Sequence, residues 1–470
     1  MKATHTGRPP PTVPILEWEL IPVMSRVSSA VRRFLHGLSS ESRAGLFGLV
    51  WSYLTHGLQL FLRFGSSLVL TWILLPDAYG IFGPALAVML LIELLSDLGV
   101  RPAVVRSSRG EDPAFLGTAW SILLLRSVPF AATIIALAWA LPAWYGKPAL
   151  FGVMLALSVR PILVALQNPT LFVLYRQLNY KTPFYLDTLQ TVIAIPITIL
   201  FALYFRNEWG LVLGLLCGDV ARGILSHILC PRAPRPCWDR LAVKKLSNFG
   251  LPIFLNTLAY GAWVYFDRIA GPKVFDEREI GLYILAWSLA EAMDVLISRG
   301  SEVFYSMLSR QPERDLRSAL FRRTARRVAL YLIPSLVIAA LVAPLAFMLV
   351  YRAEYHGAAI LFGLLTARLI MRATAQLQFM YLMMRGQVIL ATRSYLVSFI
   401  ILASTFLLWV QVLDLGVLGL AISSLVGMTT FTLTQTFQMV RRGEASPWPM
   451  LAGLFWTTIA VAGVLLIYLA

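Results

Sequence analysis

Two arginines one helical turn apart, Arg368 and Arg372, sit in the middle of the run 357–384, which is otherwise largely apolar. Cations at that spacing share a face and repel each other. They also lie too far from either end of the run to stretch into water. They need anionic partners, and a planar guanidinium fork offers bidentate pairing to a carboxylate or a phosphate. Other runs carry comparable groups in rows. Ser52, His56, Gln59, Arg63 and Ser67 form one, Glu93 and Asp97 a second, and Asn256, Tyr260, Trp263 and Asp267 a third. The fourth holds Glu291, Asp294, Ser298 and Glu302, with Arg299 beside it. Spacings of three and four place each row on one helical face. A central cavity collecting these faces would bind an anionic substrate through Arg63, Arg299, Arg368 and Arg372, with Gln59, Tyr260 and Trp263 beside them. Asp97, Glu291 and Asp294 would couple its movement to an ion.

Each group also has a structural reading. Glu93, Asp97 and Arg101 fall at i, i+4 and i+8 and can pair along their own helix. Arg299 can pair with Glu302, and His56 can be a satisfied buried histidine. Asp267 and Arg268 read as a local surface pair near a helix end, and Arg126 and Arg160 as groups that pack helices together. If Arg368 and Arg372 serve structure instead of substrate, Glu93 or Glu302 would be their partners.

The elements that must position these residues are membrane helices. Of 470 residues, 58% are hydrophobic and only 14% charged, with mean hydropathy +0.72, which excludes an ordinary soluble domain. The net charge of +16 comes from Lys and Arg lying between apolar runs, the mark of cytoplasmic loops rather than of a nucleic-acid surface. Spanning runs fall at 45–75, 81–105, 114–143, 148–174, 184–205, 209–230, 247–271, 279–308, 328–351, 357–384, 390–411, 416–440 and 447–469. With the N-terminus inside, the cytoplasmic loops hold most of the basic residues, including seven arginines between Arg310 and Arg327. The exterior loops hold only Lys147, Arg206, Arg268, Lys273, Arg278 and Arg352. An odd number of spans then puts Ala470 outside.

Residues 1–43 read as a cytoplasmic segment with a short interfacial helix, since Val27, Val31, Phe34 and Leu38 share a face. Glu17 and Glu19 break the apolar run that a secretory signal would need. The three cysteines, Cys217, Cys230 and Cys237, have no CxxC spacing and read as reduced and structural, and no metal or cofactor is expected. Nucleotide, metalloprotease and nucleophile-elbow motifs do not occur, so an ion gradient or the substrate's own gradient must supply any energy.

The chain also repeats itself. Gly80-Ile81-Phe82-Gly83-Pro84-Ala85 is answered by Gly281-Leu282-Tyr283-Ile284-Leu285-Ala286. Each copy opens the second helix of a six-helix half. The expected fold is therefore an all-α polytopic membrane protein with one lobe over 44–230, a cytoplasmic linker over 231–246, a second lobe over 247–442, and an additional helix within 443–470. An even number of helices per lobe gives both lobes one orientation, related by an axis along the membrane normal.

Five stretches carry a family resemblance: LLPDAYGIF at 74–82, LLSDLGVRPAVVRS at 94–107, AWSILLLR at 119–126, ALQNPTLFVLYRQLNYK at 165–181 and EIGLYILAWSLAE at 279–291. With them the chain resembles the oligosaccharide (polysaccharide) flippases of the multidrug/oligosaccharidyl-lipid/polysaccharide exporter superfamily, over roughly 44–440. The resemblance implies two six-helix lobes in a V around a central cavity. It also implies transfer of a polyprenyl-diphosphate-linked oligosaccharide across a bacterial cytoplasmic membrane for surface polysaccharide or O-antigen assembly, beside a polymerase and export machinery. Cavity cations such as Arg63, Arg368 and Arg372 would then meet the carrier's diphosphate, and the polar and aromatic residues its sugars. Two alternatives remain. A cation-coupled drug exporter would use Asp97, Glu291 or Asp294 but has no need of arginines at mid-membrane. A polysaccharide polymerase or ligase needs catalytic groups on a sizeable exterior loop, and the exterior loops here are short.

Overall fold

The computed structural model describes residues 40–470 except 97–99, 108, 178, 180, 241, 244–250, 310–312, 445 and 470. By its contacts the chain divides into Met1–Val50 and Trp51–Ala470. The expected interfacial helix within 1–43 and Asp97 lie outside the described residues. So do the side chains of His56, Arg101 and Glu302.

In chain order the helices are α1 (Ser40–Ile73), α2 (Pro76–Ser96), α3 (Val100–Arg106), α4 (Pro113–Tyr145), α5 (Ala149–Leu157), α6 (Arg160–Ala165), α7 (Thr170–Arg176), α8 (Lys181–Phe205) and α9 (Trp209–Leu229). They continue with α10 (Leu251–Ala270), α11 (Glu277–Ser309), α12 (Arg314–Arg327), α13 (Ile333–Val350), α14 (Gly357–Met384), α15 (Val388–Phe406), α16 (Gly416–Val440) and α17 (Trp448–Leu469). Every apolar run expected from the sequence contains a helix. Among the described residues, ten helices are long and apolar enough to cross a membrane, and a bent pair makes eleven. Over its searched part, Gly57–Ile73, α1 is a shorter apolar helix, and α10, with Asn256, Asp267 and Arg268, is not among the ten.

Three runs differ from plain spans. The run 81–105 is divided between α2 and α3. The run 148–174 breaks twice, and Ala149–Ala165 meets α7 at a 61° bend. The cause is local: Pro169 denies the helix a backbone donor, and the Asn168 side chain accepts from the Thr170 N–H at 3.0 Å, capping a new start. The third run begins earlier than expected, because a π turn at Val328–Leu332 joins α12 to α13, giving one helix over Asp315–Val350.

One large core runs through both parts of the chain, with Leu74 and Tyr79 packed in the same cluster as Tyr283, Phe347 and Tyr355, and smaller cores flank it. Met89, Ile134 and Met154 centre one, between α2, α4 and α5. In the other half α14 is the hub, packed by α11, α13, α16 and α17. Its sequence is apolar or small on every face, as a fully surrounded helix requires, and 94% of its membrane window is buried. An arginine on such a helix cannot reach a lipid head group, so its partner must come from the protein or a bound molecule.

The halves meet where the two repeat copies cross. A Cβ on Gly80 would stand 1.7 Å from the Glu277 carbonyl oxygen, and one on Gly281 would stand 1.9 Å from the Pro76 oxygen. The repeat glycines are thus the places where α2 and α11 touch backbone to backbone, which no larger residue permits. Side chains latch the same end. Tyr145 Oη donates to the Ile269 carbonyl at 2.8 Å, Lys147 Nζ to Phe275 at 3.0 Å, and Tyr355 Oη to Leu74 at 2.9 Å. Burial holds the Lys147 ammonium below the usual lysine range, while Glu277 and Asp276 nearby favour its charge.

The segment 231–240 is strapped across the start of α4. Asn168 Nδ2 donates to the Pro231 carbonyl at 2.9 Å and the Asp239 N–H to Thr118 Oγ1 at 3.0 Å. Arg109 bridges Asp112 at 2.7 Å and Asp239 at 3.0 Å. Asp112 also caps α4 by accepting from the Ala114 N–H.

Candidate functional site

The fourth polar row lies on α11, and one residue of the same face precedes it. Trp287, a turn before Glu291, is buried with two guanidinium groups over its ring. The Arg268 Cζ lies 3.7 Å from the Trp287 ring centroid and that of Arg368 lies 5.3 Å away. An indole face attracts cations, most strongly where water is excluded. Arg268 also stacks on Tyr265 at 4.7 Å and donates to the Val264 carbonyl at 2.6 Å. Its own neighbour Asp267 is 3.6 Å from Nε and accepts from Tyr283.

Arg268 and Asp267 therefore do not form the surface pair expected from their place near a helix end. They are 7% and 3% exposed, because the arginine turns back along α10 to reach Trp287. Arg368 is 7% exposed, and its Nε has no hydrogen-bond partner among the described residues. Glu291 is exposed, with Arg268, Arg368 and Arg63 as cationic neighbours and Asp294 as an anionic one. Arg63, on α1, is itself exposed, and Gln59 lies half-buried one turn before it. Arg268, Arg368 and Arg63 are thus electrostatic neighbours of the Glu291 carboxylate.

Arg372 has a different fate. It bonds Asp294 at 3.2 Å, and Ser298 Oγ adds a hydrogen bond to the same carboxylate at 3.4 Å. Its partner is neither of the two acids weighed from sequence. Beyond it stand Tyr260 and Tyr395, whose rings meet edge to face at 5.4 Å. Trp263 is 5% exposed and stacks on Phe431 at 5.3 Å, so it faces the packing of α10 against α15 and α16. Arg299 is half-buried two turns beyond Glu291 on α11.

The first half contributes a second polar group. Arg160, at the start of α6, bonds Glu93 at 2.7 Å and Asp219 at 2.8 Å, tying α2 and α9 to the broken helix. Glu93 therefore pairs across helices, while its expected partners along its own run, Asp97 and the Arg101 side chain, lie outside the described residues. Here a cavity of about 490 Å³ opens, lined by Glu93, Arg126, Arg160, Gln167 and Asn168. Tyr265 of α10 also lines it, with Arg268, Glu291 and Glu93 among its charged neighbours. Through Tyr265 the cavity adjoins the Arg268–Trp287–Arg368 stack.

Sequence reasoning picked out Glu291 along with Arg63 and Arg368, which are among its cationic neighbours. It passed over Trp287, Tyr265 and Asp219. Trp287 was within reach, since it stands four residues before Glu291 and shares its face. Asp219 carried no comparable signal, being a lone acid in an apolar run whose partner lies 59 residues away.

Comparison with known proteins agrees with this architecture. Residues 69–360 match the family described as polysaccharide biosynthesis protein. No curated protein sequence matches the chain. Among solved structures, the lipid II flippase MurJ in an inward closed conformation is similar with TM-score 0.66 and 12% identity, covering 90% of this chain and 97% of that one. An inward-facing multidrug resistance MATE family transporter of the MOP superfamily is similar with TM-score 0.61 and 13% identity, covering 86% and 95%. A MOP superfamily transporter from Pyrococcus furiosus, whose report describes a binding pocket of reversed polarity, has TM-score 0.55 and 11% identity, covering 90% and 96%. The fold is thus that of MATE and MurJ. The chain belongs to the polysaccharide biosynthesis protein family and is an all-helical, multi-pass membrane protein.

Proposed function

We propose that this protein is a flippase that carries a polyprenyl-diphosphate-linked oligosaccharide across the bacterial cytoplasmic membrane, with its N-terminus in the cytoplasm. The observation that supports this reading is the cation stack: Arg268 and Arg368 both over the Trp287 ring, with Arg63 among the cationic neighbours of Glu291. Two carboxylates, Asp267 and Glu291, stand against three guanidinium groups, which leaves room for an anionic guest. Arg368 Nε is a buried donor with no hydrogen-bond partner among the described residues, which supports the reading. A diphosphate supplies acceptors for these forks, and the 490 Å³ cavity beside Tyr265 takes the first sugars. The prenyl tail stays in lipid between the lobes.

In the empty protein Glu291 is the counter-ion of the stack. Diphosphate entering from the inner leaflet displaces it, and its return as the lobes rock helps expel the substrate on the far side. Glu291 is also the group best placed to take up a coupling ion, with Asp97 a second candidate. Asp294 is neutralised by Arg372, and this favours an anionic cargo over the cationic drugs a multidrug exporter carries.

The test is polysaccharide export in cells whose own flippase gene is deleted, with membrane protein level measured alongside. Arg368→Ala and Arg268→Ala should each abolish export at normal abundance, and Arg368→Lys should retain part of it. Full export by the Arg268→Ala, Arg368→Ala double variant would refute the reading.

A further inference from the structure

A second cationic site lies on the back of the hub helix, away from the stack. The single helix over Asp315–Val350 is 36 residues long, whereas about 20 cross a bilayer. Its basic first part, α12, therefore projects beyond the hydrocarbon. Arg322 and Arg326 are exposed there, one turn apart on one face. Neither has a carboxylate partner among the described residues, and the nearby acid Glu444 is already bonded to Arg385.

Against these two arginines lies a cavity of about 190 Å³. Ser446 and Trp448 close it from the start of α17, and Thr374 and Gln378 from α14. Thr374 and Gln378 are each 4% exposed. Thr374 Oγ1 and Gln378 Oε1 have no hydrogen-bond partner among the described residues, although the Gln378 amide donates to Thr436 at 2.6 Å. Buried polar atoms left this way mark a place that a bound molecule completes. The space is below the roughly 300–1,000 Å³ of ordinary small-molecule pockets, so it suits a head group rather than an oligosaccharide. Trp448 is 56% exposed, an amphipathic ring of the kind found at bilayer interfaces.

We infer that this cavity binds the head group of an anionic glycerophospholipid that also carries a free hydroxyl, the chemistry of phosphatidylglycerol. The phosphate sits between Arg322 and Arg326 and accepts from the Thr374 hydroxyl. Gln378 Oε1 can only accept, so it takes the hydroxyl of the head group. Basic pockets between helices at a membrane surface recognise anionic lipids in this way. Thr374 lies two residues from Arg372, on the opposite side of α14, so the lipid braces the helix that bears Arg368.

The experiment is a thermal unfolding series on the delipidated full chain in detergent, with phosphatidylglycerol, phosphatidylcholine or inorganic phosphate added. Phosphatidylglycerol should raise the midpoint by at least about 3 °C, and the other two should not. Arg322→Gln with Arg326→Gln should remove the shift, and the near-isosteric Thr374→Val should reduce it. Arg441→Gln with Arg442→Gln, a basic pair elsewhere, should leave it intact. An equal shift with phosphatidylcholine, or a shift that survives the Arg322, Arg326 change, would overturn the site. An equal shift with inorganic phosphate would overturn its assignment to lipid. The readout is binding, independent of what the protein transports.

Discussion

Trp287 is the residue through which the two substrate arginines communicate. A cation on an indole face away from water is held by about 2 kcal/mol, and here one ring serves two cations. Trp287→Leu keeps the bulk but removes the π face, so both guanidinium groups should lose their register. The expected outcome is at least a tenfold loss of export at near-normal protein level, with Trp287→Phe intermediate. Arg372 should behave differently because it already has a partner. Breaking a buried ion pair from one side costs about 3–5 kcal/mol, since the remaining charge is stranded. Arg372→Ala should therefore lower membrane abundance, and adding Asp294→Asn should restore it. Quantitative immunoblotting of the single and double variants checks this. A normal level of the single variant would place Arg372 with the substrate instead. The spacing of Arg368 and Arg372 told the sequence reader that both are buried on one helix. It could not tell that one stacks and one pairs, because the partners are Trp287 and Asp294, nearly 80 residues away.

Among the elements, the crossing of α2 and α11 is the hinge most open to test. Gly281→Ala places a methyl within 1.9 Å of the Pro76 oxygen, and backbone cannot yield as a side chain would. The two helices must part, weakening the latched end. In a cysteine-free background, a cysteine at Ser67, just inside that end, should react faster with an impermeant maleimide when Gly281→Ala is present. An unchanged rate would mean that the contact does not hold this end shut. Gly80 and Gly281 stood out in the sequence, and backbone contact explains why each must be glycine. The break at Asn168-Pro169 was less readable, since a proline inside an apolar run kinks some helices and ends others.

The strap over α4 gives a pH test. Its Asp112 is held below the ordinary carboxylate range, chiefly by the Arg109 side chain and then by the Ala114 N–H. The folded value is depressed, so the stabilisation is present above the ordinary carboxylate range. It fades as pH falls through the folded value. Cys237 Sγ, which donates to the Ala114 carbonyl at 3.2 Å, reports on the strap. With Cys217 and Cys230 replaced by Ser, its reaction with a disulfide reagent active in acid should accelerate below about pH 4. An Asp112→Asn variant should react fast at every pH, and a flat profile in the parent would dissociate the strap from Asp112.

At the scale of the whole molecule, a shared core and the contacts at one end join α1 and α2 to α11, α13 and α14, and polar residues of α1, α10, α11 and α14 come near Glu291. Composition and the run of apolar segments made the all-helical membrane fold legible, since hydrocarbon leaves few ways to satisfy a backbone. The assembly of the site was only half legible. Row spacing gives the face of a helix but not what faces it, so Trp263 and Tyr260 looked alike in sequence. In the fold Trp263 joins the packing core while Tyr260 stands near Arg372 and Glu291.

The central claim is that the Arg268–Trp287–Arg368 stack holds a diphosphate. The most direct measurement is the affinity of the purified protein for a polyprenyl diphosphate and for the matching polyprenyl alcohol, in parent and Arg268→Gln, Arg368→Gln protein. Each charge-assisted contact contributes about 1.5–3 kcal/mol. The parent should therefore favour the diphosphate at least tenfold, and the double variant should bind both ligands alike. Equal binding of the two ligands by the parent, or an undiminished diphosphate preference in the double variant, would contradict the account.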